Sequence, residues 1–355
     1  MRIKRLEAWS QVIPLIEPYQ VAYRSFSAVE LVYVRLVTNR NLVGLGSASP
    51  EEEVSGETPA GTLEILEGVA GPALKGADPL RPALRLARLR AAGLEGRPAA
   101  LAAVDMALWD LLGKAAGLPL WRLWGGLRDR IRTSVTIGIL PLPETLARAR
   151  EHLARGFTSL KLKGGLDALA DAERVLRVRE AVGPRVELRF DANQGYSEEE
   201  ARQFLARVAK ADLELVEQPT PRGRLAQLGR LTRGSLTQVM ADESLLTLPD
   251  AFRLARGSLV DLVNVKLMKV GGLQVAAGIE AVARAAGLGV MVGCMDEAAL
   301  SIAAGLAYAL SSPAVRYADL DGHLDLADDP TRATVTLRRG TLFPSPEPGL
   351  GLQDF

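Results

Sequence analysis

From Arg130 onward the chain repeats one unit, a short run of β-branched and apolar residues followed by a longer Ala/Leu/Arg-rich stretch with helical spacing. The runs are TSVTIGI (133–139), SLKLK (159–163), VELRFDAN (186–193), LELVEQP (213–219), TQVMADES (237–244), LVNVKL (262–267), LGVMVGC (288–294) and AVRYADLD (314–321). Eight strands at intervals of roughly 20 to 30 residues are the mark of parallel βα units. Eight such units close naturally into a barrel of about 200 residues. An open doubly wound sheet is the competing arrangement, but no GxGxxG follows the first strand, and eight regular repeats favour closure.

The flanks have a different rhythm. In the first 50 residues, IKRLEAWSQVIPL and VELVYVRLVTN alternate apolar with polar, and Asn39-Arg40-Asn41 supplies a turn, so an antiparallel meander is expected. From Thr58 to Gly117 apolar residues recur every three or four positions in stretches that stop near Gly, which predicts helices. Strands followed by helices make an α+β domain over residues 1–120, ahead of the α/β barrel over 121–322. The tail, 323–355, returns to strand and turn character in TVTLRRGTLFPSPEPG and is expected to pack back on the N-terminal domain and complete it. The uncharged stretch Ala298–Val315 has the length of a membrane span but holds Gly305, Ser311, Ser312 and Pro313. It reads better as a buried helix, a turn and the next strand.

Composition narrows the chemistry. With 43 Lys plus Arg against 42 Asp plus Glu the net charge is +1, which gives no field to hold nucleic acid or an anionic membrane. The start carries Arg2, Lys4, Arg5 and Glu7 and does not read as a secretory signal, so a cytoplasmic location is expected. One cysteine, Cys294, and two histidines, His152 and His323, exclude disulfides, Cys-rich zinc sites and iron–sulfur clusters by count. Cys294 reads as a small apolar residue. Carboxylates and lysines are left to do the work. Of the 43 basic residues 35 are Arg and only 8 Lys, so a Lys stands where a compact amine with a movable pKa is wanted.

Polar residues gather where these strands end. Lys161 and Lys163, Asp191, Glu217, Asp242, Lys266, and Asp319 with Asp321 lie at the carboxyl ends of their runs, the face on which barrel enzymes build active sites. From Lys163 to Asp191, Glu217, Asp242 and Lys266 the gaps are 28, 26, 25 and 24 residues, one functional group per βα unit. Three carboxylates converging on one mouth repel one another and lose hydration unless a cation neutralises them. Oxygen ligation without Cys or His selects a hard divalent ion, Mg²⁺ by default with Mn²⁺ as an alternative. Lys161 and Lys163 leave the same face of one strand. Each is expected to depress the pKa of the other, with the metal adding to the effect.

The set KLK (161–163), FDAN (190–193), VEQP (216–219), ADES (241–244) and VKLMKVGG (265–272) resembles the enolase superfamily, in its muconate-lactonizing subgroup, over essentially the whole chain. The resemblance implies that Asp191, Glu217 and Asp242 bind Mg²⁺. It also implies that Lys163 and Lys266 are opposing acid/bases, that Lys161 tunes Lys163, and that a proton α to a carboxylate is removed to give a metal-stabilised enediolate. Lysines on opposite faces of a planar enediolate suit a racemase or epimerase, an isomerase in either case. A positioned base is worth about 10²- to 10⁴-fold and a divalent Lewis acid several kcal/mol.

For the substrate, Asp319-Leu-Asp321 puts two carboxylates on one face, suited to an ammonium, and resembles the DxD of dipeptide epimerases. GCMDE (293–297) resembles their GxMxE, which implies Glu297 near the substrate, while Asp296 is charged where an apolar residue is expected. Arg24 in VAYRSFS resembles a capping-loop arginine of Ala-Glu epimerases and could pair with an acidic side chain. The expected reaction is epimerisation of the C-terminal residue of a dipeptide, with L-Ala-L/D-Glu the leading example. N-succinylamino acid racemase or o-succinylbenzoate synthase is the alternative, and a non-catalytic barrel is disfavoured by the intact set. Barrels of this type often associate, so a homo-oligomer is allowed.

Overall fold

The computed structural model describes residues 1–20 and 25–355. Two long strands, β1 (Ile3–Gln20) and β2 (Ser25–Thr38), pair antiparallel, and β3 (Val43–Ala48) joins β2 after the expected turn at Asn39–Asn41. This sheet packs on α1 (Pro98–Ala116), whose Ala-rich sequence is buried on almost every side. The close approach needs Gly44 and Gly46: a Cβ there would lie 2.2 Å from Ala107 O and 2.0 Å from Ala103 O, inside van der Waals contact.

Eight parallel strands follow: β4 (Val135–Ile137), β5 (Ser159–Lys163), β6 (Glu187–Asp191), β7 (Leu213–Glu217), β8 (Gln238–Ala241), β9 (Leu262–Lys266), β10 (Gly289–Gly293) and β11 (Val315–Asp319). They neighbour one another in chain order. Thr133 bridges Ala318, and Ser134 N donates to Ala318 O at 3.1 Å, so the first and last strands meet and close the barrel. Each expected run is represented. The first is the shortest, three residues of the seven in TSVTIGI. Helix α2 (Leu142–Ala154) follows β4, and the next four strands are each followed by a helix of 9 to 15 residues; two of these, Glu198–Val208 and Leu248–Arg256, begin at capping boxes built by Ser197 and Thr247. After β11 a single turn of 3₁₀ helix, Gly322–Leu324, replaces a helix. The stretch from Ala298 is the buried helix Ala299–Ser311 followed by β11, and among the described residues no helix is long and apolar enough to cross a membrane.

Inside the barrel Leu215, Met240, Leu262 and Met291 form an apolar plug against Tyr317, with the Arg189 guanidinium 4.5 Å from the Tyr317 ring centre. The plug leaves the carboxyl ends of the strands as the polar end.

The tail does two things. Its hairpin, Val335–Arg338 with Thr341–Pro344, pairs with Ile131–Arg132 at the entrance to the barrel. Its last residues reach the N-terminal domain, where Leu350 N donates to Asp110 at 2.7 Å and Phe355 packs on Trp9 and Tyr33. Asp105 of α1 accepts from Leu273 N at 2.5 Å, at the start of the barrel helix Leu273–Ala285. A buried carboxylate of one domain thus caps a helix of the other.

Candidate active site

A cavity of about 690 Å³ opens at the carboxyl ends of the strands, between the barrel and β1, a size usual for small-ligand sites. Lys161, Lys163, Asp242, Lys266, Asp319 and Asp321 line it, and Asp191 and Glu217 are fully buried beside them. Parallel register sets this convergence: Lys163 pairs with Asp191, and Asp191 with Glu217. Adjacent strands therefore present their ends at one level. Lys163 stands on the second barrel strand and Lys266 on the sixth, half a turn apart around eight strands.

The charges interlock. Lys161 Nζ lies 3.1 Å from Asp191, 2.7 Å from Glu217 and 2.8 Å from Asp319. Lys163 is 2.8 Å from Asp191, Lys266 is 2.8 Å from Asp242 and Lys269 is 2.5 Å from Asp242. Burial works against the Lys161 ammonium, but Asp319, Glu217 and Asp191 outweigh it and hold its pKa well above the ordinary value. The same holds for Lys266, where burial is outweighed by Asp242 and Glu217. The carboxylates around Lys161 thus act against the depression expected from its lysine neighbour. Spacing along one strand reveals the second lysine, but not the three carboxylates delivered by other strands. Asp191 and Asp242 resist burial because Lys163 with Lys161, and Lys266 with Lys269, hold them below the usual carboxylate range.

Glu217 and Glu243 go the other way. Burial, then the negative charge of their neighbours, pushes them up to about 7 and about 8. Six carboxylates (Asp191, Glu217, Asp242, Glu243, Asp319, Asp321) face four ammoniums (Lys161, Lys163, Lys266, Lys269), and Glu243 Oε2 and Asn193 Oδ1 are buried without hydrogen-bond partners. A hard divalent cation answers this excess of oxygen donors, so the residues present fit Mg²⁺. Among the described residues no three acidic, His or Cys side chains are already grouped to hold an ion; Lys161 sits among Asp191, Glu217 and Asp319 instead.

Asp319 and Asp321 both face the cavity. Asp319 accepts from Lys161 and, at 2.5 Å, from Ser134 Oγ; Asp321 accepts from Thr136 N at 2.7 Å and is pushed up to about 6 by burial and by Asp319. Asp296 also faces the cavity and accepts from Tyr19 Oη of β1 at 2.6 Å. Glu297 does not join them. It is buried, turns back to accept from Met295 N at 2.8 Å and is absent from the lining. Arg24 lies outside the described residues.

Sequence reasoning missed Tyr19, which no motif marks, and Asp325, four residues beyond Asp321 on the 3₁₀ turn. Asp325 lines the cavity, makes no side-chain hydrogen bond or ion pair among the described residues, and is pushed up to about 8 by burial, then by Asp321 and Asp296. Among the described residues the outer wall is acidic: Glu17, Glu144, Glu151, Asp296 and Asp325 stand against Arg148 and Arg155. Arg148 is paired with Glu17 and, at 2.6 Å, with Glu151.

Comparison with known proteins places this geometry in context. Residues 6–125 match the mandelate racemase / muconate lactonizing enzyme N-terminal domain, and residues 144–353 the enolase C-terminal domain-like family. The chain is 42% identical to an L-Lys-D/L-Arg epimerase of Desulforapulum autotrophicum and 36% identical to the L-Ala-D/L-Glu epimerase of Bacillus subtilis, with at least 97% of every chain covered. Among solved structures it superposes on a dipeptide epimerase from Methylococcus capsulatus complexed with Mg and the dipeptide L-Arg-D-Lys, with a TM-score of 0.95, 43% identity and all of both chains covered.

Proposed function

The chain belongs to the enolase superfamily, in its mandelate racemase / muconate lactonizing enzyme branch, and on that premise we propose that it is a Mg²⁺-dependent dipeptide epimerase that prefers cationic dipeptides. The observation that carries the reaction is the pair Lys163 and Lys266, on strands half a barrel apart and lining one cavity. Either can reach the α-carbon of a residue held between them from its own side. In each turnover one lysine, unprotonated, takes the α-proton, and the opposite lysine, as an ammonium, returns one to the other face. The configuration inverts, and the two lysines exchange protonation states.

Around these bases the other residues bind and orient. Asp191, Glu217 and Asp242 would hold Mg²⁺, which when bound supplies a Lewis acid to the substrate carboxylate and stabilises charge developing there. Lys161, ion-paired with Asp191, Glu217 and Asp319, ties three strand ends together and keeps the floor rigid beneath the reacting atoms. Asp319 and Asp321 receive the substrate ammonium, so the scissile proton falls on the residue after the one bearing the free amine. An N-acylated amino acid offers no ammonium to these carboxylates, which favours a dipeptide over the N-succinylamino acid alternative.

Side-chain preference rests on the outer wall, where, among the described residues, carboxylates outnumber guanidiniums, Asp325 has no ion partner, and Arg148 is already paired with both Glu17 and Glu151. A lysine or arginine side chain relieves that excess, whereas a glutamate adds to it. The Desulforapulum and Methylococcus relatives, with Lys/Arg dipeptides in their names, support the same reading. The test is ¹H NMR in D₂O with Mg²⁺, following loss of the α-proton signal from L-Lys-L-Lys, L-Ala-L-Glu and N-succinyl-L-lysine. Exchange fastest on L-Lys-L-Lys is expected. Faster exchange on L-Ala-L-Glu would overturn the cationic preference, and exchange on the N-succinyl compound alone would overturn the dipeptide reading.

A further inference from the structure

Gln218, in the VEQP segment, does not itself line the cavity yet is tied to every strand end that carries a proposed metal ligand. It is completely buried, follows Glu217 directly, and has a left-handed backbone with φ of 33°, a conformation that costs a non-glycine residue about 1 to 3 kcal/mol and persists only where its surroundings enforce it. All four hydrogen-bonding positions of its side-chain amide are used. Oε1 accepts from Asp242 N at 3.0 Å and Ser244 N at 3.1 Å, and Nε2 donates to Thr220 O at 2.8 Å and Ser244 Oγ at 3.0 Å. Its backbone continues the link in both directions: its N donates to Met240 O at 2.9 Å, and its O accepts from Gln194 N at 2.8 Å. Ala192 N donates to Glu217 O at 3.1 Å and Asn193 N to Asp191 Oδ1 at 2.9 Å. One continuous set of bonds therefore runs from Asp191 through Glu217 to Asp242.

We infer that Gln218 is a positioning residue whose amide locks the Asp242 and Glu217 strand ends at the spacing Mg²⁺ requires, and thereby sets metal affinity without taking part in proton transfer. Three carboxylates crowded at 0 to 2% exposure repel, and each strand end could swing away by rotating one peptide. Fixing the Asp242 amide from the neighbouring strand removes that freedom before the ion arrives. Outer contacts that orient metal ligands are typically worth about 10- to 100-fold in affinity. This inference rests on the ligand roles proposed above for Asp191, Glu217 and Asp242.

The experiment titrates Mg²⁺ alone into the metal-free full-length protein by calorimetry, for wild type, Gln218→Met, Ser244→Ala and Asp242→Asn, with the Mg²⁺ activation constant and kcat at saturating Mg²⁺ measured in parallel. Gln218→Met keeps the volume and removes every polar contact of the side chain. Its Mg²⁺ affinity is expected to fall about 10- to 100-fold, while kcat at saturating Mg²⁺ stays within about threefold of wild type. Ser244→Ala removes one of the four contacts and is expected to weaken binding by a smaller factor, about threefold; it decides the matter if Gln218→Met does not fold. Unchanged Mg²⁺ affinity in the folded variants, with Asp242→Asn impaired, would overturn the role of Gln218 and leave the ligand assignment standing. If Asp242→Asn also binds Mg²⁺ like wild type, the ligand assignment falls and this inference with it.

Discussion

The floor of the cavity and its outer wall are built by different rules. The floor consists of strand ends held in register by parallel pairing, and its charged groups are buried, ion-paired and fixed by neighbouring backbone. The wall comes from β1, α2 and the segments after β10 and β11, and it includes a carboxylate with no ion partner among the described residues, Asp325. A buried, ion-paired network tolerates little change because removing one partner strands the rest, at several kcal/mol. A half-exposed wall tolerates substitution and can change preference while the chemistry stays the same.

This contrast ranks the consequences of mutation. At the floor, Lys163→Ala and Lys266→Ala should each lower the steady-state rate of epimerisation by about 10³-fold or more, in the upper range for loss of a positioned acid/base, measured by polarimetry or chiral chromatography. A fall of less than tenfold in both would place the proton transfers elsewhere. At the junction of floor and wall, Asp321→Asn should cost about 10- to 100-fold in kcat/KM for dipeptides with a free amine and little for N-succinyl amino acids. Equal losses on both would remove the ammonium role.

On the wall the effects shrink to changes of preference. Asp325→Asn should reduce the ratio of kcat/KM for L-Lys-L-Lys over L-Ala-L-Ala by about 3- to 10-fold, the scale of one partly solvated charge contact. The same residue gives a pH signature. Its pKa is raised to about 8, so it is largely protonated and neutral below that pH and charged above it. The wild-type preference for the lysine dipeptide should therefore climb between pH 7 and 9, as far as the substrate amines stay protonated, and the climb should flatten in Asp325→Asn. An identical slope in the variant would assign the titration to another group. Smallest of all, Tyr19→Phe frees Asp296 from its 2.6 Å hydrogen bond and should change the same ratio by about threefold or less, with the rate on the preferred substrate nearly unchanged.

The same contrast explains what the sequence made legible. Strand ends recur at 24- to 28-residue gaps from Lys163 to Lys266, so the positions of Lys163, Asp191, Glu217, Asp242 and Lys266 could be read from periodicity, and the barrel with them. The length of the first strand could not, because its closure depends on one bridge between Thr133 and Ala318, a contact between the two ends of the repeat. Nor could the charge state of Lys161, since its three carboxylate partners arrive from three other strands. Motif likeness implies Glu297 near the substrate but does not show that its side chain is buried behind the lining, accepting from Met295 N of its own loop. Tyr19 and Asp325 reach the cavity from 140 or more residues before and after the floor's first lysine, and no local spacing links them to it. Gln218 stood inside a motif already singled out, but its role depends on four bonds to residues up to 26 positions away.

The central claim, that two lysines work from opposite sides of one α-carbon, is tested most directly by following α-proton exchange in D₂O separately from the L,L and L,D epimers of Lys-Lys, in Lys163→Ala and in Lys266→Ala. Each variant should still exchange one epimer and fail on the other, and the two variants should fail on opposite epimers. If both fail on the same epimer, or both exchange the two epimers alike, the lysines do not act as a two-sided pair.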